Sequence, residues 1–106
     1  MKKSQIDRIN EIESILDECV EAVKELQGTL DDIERLQEKM GKLFAYYGSN
    51  EWYEDREAYD AMDTEEQADI KAGVLSEDSV YDLITDVRDE SFRMIELGTD
   101  ILKNRI

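Results

Sequence analysis

The sequence predicts an all-α protein. The expected architecture is a helical bundle of two long antiparallel helices, at about 4–45 and 77–104, bridged by one or two short helices within a single domain, 1–106. Three observations predict it. Ile9, Ile12, Leu16, Cys19, Val23, Leu26, Leu30, Ile33, Gln37, Met40 and Phe44 follow one another at alternating steps of three and four, broken only by the polarity of Gln37. That is the heptad rhythm of a long helix with an apolar seam. The last third repeats it, with Val80, Ile84, Val87, Ser91, Met94, Gly98 and Ile101. Proline is absent and only five glycines occur, which favours helix over turn and strand.

In the first helix a second row, Ile15, Ala22, Leu36 and Leu43, lies beside the seam. A two-stranded coiled coil uses only the narrow seam, whereas a helix packed on two neighbours uses a wider face, so the pattern predicts a bundle. Ser4, with Asp7 three residues on, predicts the N-terminal cap. Gly28 falls on the outer face and softens the helix by about 1 kcal/mol against alanine. Gly41 predicts a kink or restart near Gln37 to Gly41.

Gly48 predicts a C-terminal cap and Ser49 or Asn50 the next N-cap, so that a short helix runs from about Asn50 to Ala61. Asp63 or Thr64 starts another, with Thr64 and Gln67 as a capping box and Gly73 as its end. Ser76 caps the last helix. Leu83, Leu97, Ile95 and Leu102 widen its seam, and the small residues Ser91 and Gly98 invite close approach of the first helix.

Two stretches carry a resemblance. One is Ala45-Tyr46-Tyr47-Gly48-Ser49 with Glu51-Trp52 and Glu54-Asp55. The other is Lys71-Ala72-Gly73-Val74-Leu75-Ser76-Glu77-Asp78 with Val80-Tyr81-Asp82-Leu83. Together the chain resembles a family of small acidic all-helical proteins of Gram-positive bacteria, catalogued only as a domain of unknown function. The likeness covers nearly the whole chain. It implies the helical fold and no particular activity. Relatives often have a loop richer in Gly and Pro where this chain has Asp60 to Glu66, which leaves the middle open.

Charge narrows the function. Twenty-eight acidic and 13 basic side chains give a formal net charge of −15. Such a surface repels phosphate, which argues against direct binding to nucleic acid or to an anionic membrane, and it attracts basic protein grooves. Plain solubility explains the same charge equally simply. The hydrophobic fraction, 41%, is too high for a disordered acidic tail. No apolar run approaches a membrane span, and no apolar signal core follows Met1-Lys2-Lys3-Ser4, so a cytoplasmic protein is expected. Histidine is absent, which removes the usual general base and the commonest metal ligand. Cys19 is the single cysteine and, lying in the seam, is expected as a buried structural thiol.

Two groups of residues are candidates for partner binding. In the middle of the chain Trp52, Tyr53 and Tyr59 are interleaved with Glu54 and Asp55, an arrangement of aromatic anchors and acids that suits a basic partner. The competing reading is that these rings pack the end of the bundle with their polar tips wet. On the last helix Asp78, Asp82, Asp86 and Asp89 share one face. Carboxylates four residues apart rise about 6 Å along the axis, a row that imitates phosphates; the competing reading is a solvated outer face. Asp60, Asp63 and Glu66 are weak candidates for a divalent cation such as Mg²⁺, Ca²⁺ or Mn²⁺, and no other cofactor is expected. No phosphate-binding loop and no nucleophile with a base is present, so no catalytic residue is assigned.

These residues predict a non-enzymatic acidic binding protein that docks on a basic, nucleic-acid-binding protein and blocks it. Small inhibitors of CRISPR-type nucleases, carried by phages and mobile elements, are similar in size, charge and lack of catalytic groups. The alternatives are a housekeeping structural or adaptor protein, which could pair as a homodimer, and a carboxylate-based metal-dependent enzyme. Calorimetric titration with Mg²⁺, Mn²⁺ and Zn²⁺ tests the last.

Overall fold

A computed structural model describes residues 1–104. It is all-helical, with no strand among the described residues. The elements are α1 (Lys3–Tyr46), α2 (Asn50–Asp60), α3 (Thr64–Gln67), a 3-10 turn (Gly73–Leu75) and α4 (Glu77–Lys103). Both long helices and the short helical bridge fall where the periodicity and the caps predicted them. The chain divides into two units, Met1–Lys39 and Met40 onward.

The first unit consists of α1 alone. Its start differs from the expectation: the helix begins at Lys3, so Ser4 lies inside it. The Lys2 amide donates to Gln5 Oε1 at 2.9 Å, which is the half of a capping box in which the third helical residue reaches back. The helix also runs through Gly28 and Gly41 without the predicted restart. One glycine costs about 1 kcal/mol against alanine, too little to break a ladder that flanking residues continue on both sides.

A lone helix has nothing within its unit to cover an apolar stripe. Accordingly the seam residues Ile9, Ile12, Leu16, Val23, Leu26, Leu30 and Ile33 are each between 42% and 58% exposed. Cys19 is exposed as well, against the expectation of a buried thiol. The heptad spacing had placed it correctly on the seam, and the seam is open.

The second unit gathers around two buried side chains, Trp52 and Val80, each 3% exposed. Both α2 and α4 pack on the 3-10 turn. The turn at its entry uses Gly48 at φ +77°, a left-handed conformation that a Cβ disfavours, and Ser49 Oγ then accepts from the Trp52 amide at 3.2 Å to cap α2. For α3 the cap is Asp63, whose Oδ1 accepts from the Glu66 amide at 2.8 Å. The Thr64–Gln67 box is not used: Gln67 Nε2 donates to the Tyr59 carbonyl at 2.8 Å. Gly73 opens the 3-10 turn and does not close α3, which ends at Gln67.

Ser76 caps α4 as expected, its Oγ accepting from the Ser79 amide at 3.2 Å. Glu77 and Asp78 in the first turn and Lys103 in the last complement the helix dipole. Along α4 the seam is readable in the burial at Val80, which is buried, and at Ile84, Val87, Ser91 and Gly98, which are half-buried, whereas its further positions Met94 and Ile101 are exposed. A Cβ added at Gly98 would meet nothing within 4 Å, so no neighbour requires the glycine. Gly98→Ala is therefore expected to stabilise α4 by about 0.5–1 kcal/mol, read as a raised urea midpoint with unchanged slope.

Candidate functional site

The candidate residues of the middle sit on α2, and Trp52 fixes that helix. Its indole Nε1 donates to the Val74 carbonyl at 2.9 Å, tying α2 to the 3-10 turn. Tyr47 and Tyr53 meet its ring edge to face, at centroid distances of 5.2 and 4.9 Å. The Arg56 guanidinium lies 5.3 Å from the ring centroid and also reaches Glu77 Oε1 at 3.1 Å. That ion pair is largely wet and adds little by itself. The Tyr47 hydroxyl donates to the Glu77 carbonyl at 2.7 Å, which holds the start of α4.

Trp52 thus shapes the surface from beneath it. A ring 3% exposed offers a partner almost nothing to touch, and this is the packing alternative weighed for it above. Tyr53 is 58% exposed, Glu54 and Asp55 are exposed, and Tyr59 is half-buried with its carbonyl bound to Gln67. These four present a real surface; Trp52 positions it.

Asp55 is partly occupied. The Tyr46 hydroxyl donates to Asp55 Oδ2 at 2.7 Å. This bond to the carboxylate, with smaller desolvation and charge contributions, pushes the Tyr46 phenol up to about 12 from 10.0. The folded value lies above the unfolded one, so the stabilisation is complete below pH 10 and disappears as pH rises through about 12. Ultraviolet titration should show one late-ionising tyrosine. Asp55→Asn should bring it back toward the ordinary range and Tyr46→Phe should remove it. Tyr46, Asp55, Tyr59, Ile70, Val74 and Leu75 line a shallow hollow of about 310 Å³. Its one carboxylate is the Asp55 already engaged by Tyr46, and its one amine is Lys71.

On α4 the structure leaves Asp78, Asp82, Asp86 and Asp89 all exposed, on the side opposite Val80, Ile84 and Val87. The flank between that face and the seam carries two residues that sequence reasoning passed over as site residues. Tyr81 is 60% exposed and Phe92 is 57% exposed. They are eleven residues apart, about three helical turns, and so lie in line. The Arg88 guanidinium sits 5.9 Å from the Phe92 ring centroid. The signal was present: both residues fall off the seam positions of the heptad, where an apolar residue gains nothing from a folded core.

The cation candidates do not assemble. Among the described residues no group of three or more Asp, Glu or Cys side chains is placed to hold a metal ion. Asp63 is turned back on the Glu66 amide as a helix cap, which takes it away from the proposed cluster. Nor is any helix of the described residues long and apolar enough to cross a membrane.

The elements and their surfaces define a class: an acidic all-helical domain with exposed acidic residues along its last helix. The chain belongs to a domain family of unknown function, DUF4298, whose model matches residues 9–97. Comparison with curated proteins and with solved structures gives no match.

Proposed function

We propose that the chain is a non-enzymatic binding protein that docks its acidic face on a basic, nucleic-acid-binding protein and blocks the groove that nucleic acid would occupy. An inhibitor of a CRISPR-type nuclease, carried by a phage or mobile element, is the concrete form. The observation that supports this reading is the outward face of α4. Tyr81 and Phe92 stand 60% and 57% exposed on the flank of the acidic row, so aromatic surface borders the charges. Exposed aromatics beside a mainly acidic row combine contact energy with electrostatic steering. Glu54, Asp55, Tyr53 and Tyr59 offer a second surface of the same character on α2.

Affinity capture from the native host at low salt tests the proposal. The expected result is recovery of a basic, nucleic-acid-binding protein that a salt gradient elutes and that competes with its nucleic acid for the bait. Capture of acidic or neutral partners alone overturns it. The adaptor reading keeps one observation in its favour, the open seam of α1. It predicts partners held through α1 and insensitive to salt.

A further inference from the structure

The open seam of α1 has a stated chemistry, and its charges and its one polar interruption select an occupant. From Ile6 to Leu36 eleven large apolar side chains lie 38% to 58% exposed along one helix. A stable interface buries about 800 Å² on each partner, and half-exposed side chains of this number and size amount to that order. We propose that the seam is covered by the same seam of a second copy of this chain, as a parallel, in-register two-stranded coiled coil.

Register follows from the heptad. Ile9, Leu16, Val23, Leu30 and Gln37 form one row of the seam and Ile12, Cys19, Leu26 and Ile33 the other. In a parallel pair each position meets its own copy across the axis. Gln37 then faces Gln37 of the second copy, and the two side-chain amides can hydrogen-bond each other. The flanking positions agree. Arg8 lies beside Glu13 of the second copy, twice by symmetry, and Ile15 lies beside Val20 of the second copy, so the pair also covers part of the wider face that pointed to a bundle. An antiparallel pair with full overlap fails on both counts. It sets Glu13 against Glu34 of the other copy twice, and it buries Gln37 against Ile12. Like charges in contact and an unpaired buried amide both oppose that arrangement. The acidic residues Glu11, Asp17, Glu18, Asp31 and Asp32 fall on the outer positions, where two like-charged helices can keep them apart. This assembly does not depend on the function proposed for the α4 face.

Cys19 supplies the test. In the parallel register the two Cys19 residues face each other within disulfide range, whereas full antiparallel overlap holds them roughly 16 Å apart along the axis. Sedimentation equilibrium of the full chain should give twice the 12.3 kDa chain mass. Mild oxidation should convert the protein to a disulfide-linked dimer, absent in Cys19→Ser. Arg8→Glu should raise the dissociation constant about tenfold by placing two acids against two acids, and adding Glu13→Arg should restore it. Leu26→Glu should give a monomer whose tryptophan environment in the second unit is unchanged. A monomer at high concentration, a trimer or tetramer, or a dimer that Leu26→Glu leaves intact overturns the proposal. A dimer in which Cys19 does not crosslink overturns the parallel register.

Discussion

Trp52→Ala is expected to cost about 3–5 kcal/mol, the range for removing a large buried aromatic. Trp52 is one of two buried side chains among the described residues, so little else in the second unit shares its role. The loss has three parts. The ring leaves a cavity between Tyr47 and Tyr53, both of which lose their edge-to-face partner. The Val74 carbonyl loses the indole donor that ties α2 to the 3-10 turn. Arg56 loses the face over which it lies. Against a typical total stability of about 5–15 kcal/mol, this brings the unit near its threshold. Urea unfolding followed by circular dichroism measures it. Trp52→Phe should recover much of the packing and still lose about 1–3 kcal/mol, because the carbonyl remains without its donor. A cost below that of the phenylalanine variant would show that Trp52 does not organise the corner. The same argument governs functional tests on α2. Loss of partner binding in a Trp52 variant reports the collapse of the surface that carries Tyr53, Glu54 and Asp55, and so says nothing about direct contact.

The extent to which the fold could be read in advance follows from what each pattern physically encodes. Heptad spacing encodes which residues share a face. It therefore placed the seam of α4, where Val80, Ile84, Val87 and Ser91 are indeed the shielded positions, and it placed the seam of α1 on one stripe. Spacing does not encode what covers the stripe, which is why Cys19 was expected to be buried and is exposed. Caps depend on one side chain and one amide, so Ser76 was legible outright, and Ser49 and Asp63 were each legible as one of two adjacent candidates. Two expectations failed: the helix starts before Ser4, where Gln5 meets the Lys2 amide, and the Thr64–Gln67 box is not made because Gln67 bonds to the Tyr59 carbonyl. The site shows the same division. The acids of α4 were legible from their spacing. Trp52 was ambiguous because an indole serves equally as anchor and as core, and only its bond to Val74, 22 residues away in sequence, decides between them. Tyr81 and Phe92 were passed over because they fall neither on the seam nor in the acidic row, and spacing attaches no role to such positions.

The outward face of α4 yields the second large effect, since two sets of substitutions there should separate charge from contact. Asp78, Asp82 and Asp86 changed together to asparagine keep the volume and the helix, remove three negative charges and leave Tyr81 and Phe92 in place. Tyr81→Ala with Phe92→Ala does the reverse. If this face meets a basic groove, the asparagine variant should mainly slow association and flatten its dependence on salt, because steering depends on the summed field. The alanine variant should leave association and salt dependence nearly unchanged and hasten dissociation, because contact energy concentrates in a few aromatic anchors. Loss of about 2 kcal/mol at such an anchor weakens binding roughly thirtyfold. Binding kinetics against the captured partner at two salt concentrations resolve the two outcomes. Circular dichroism must show the helices intact in both variants. It should, since every residue changed is exposed and none belongs to the seam. Equal loss from both sets would make charge and contact inseparable at this face. No loss from either would return the acidic row to the role of a solvated surface and move the search for the partner to α2.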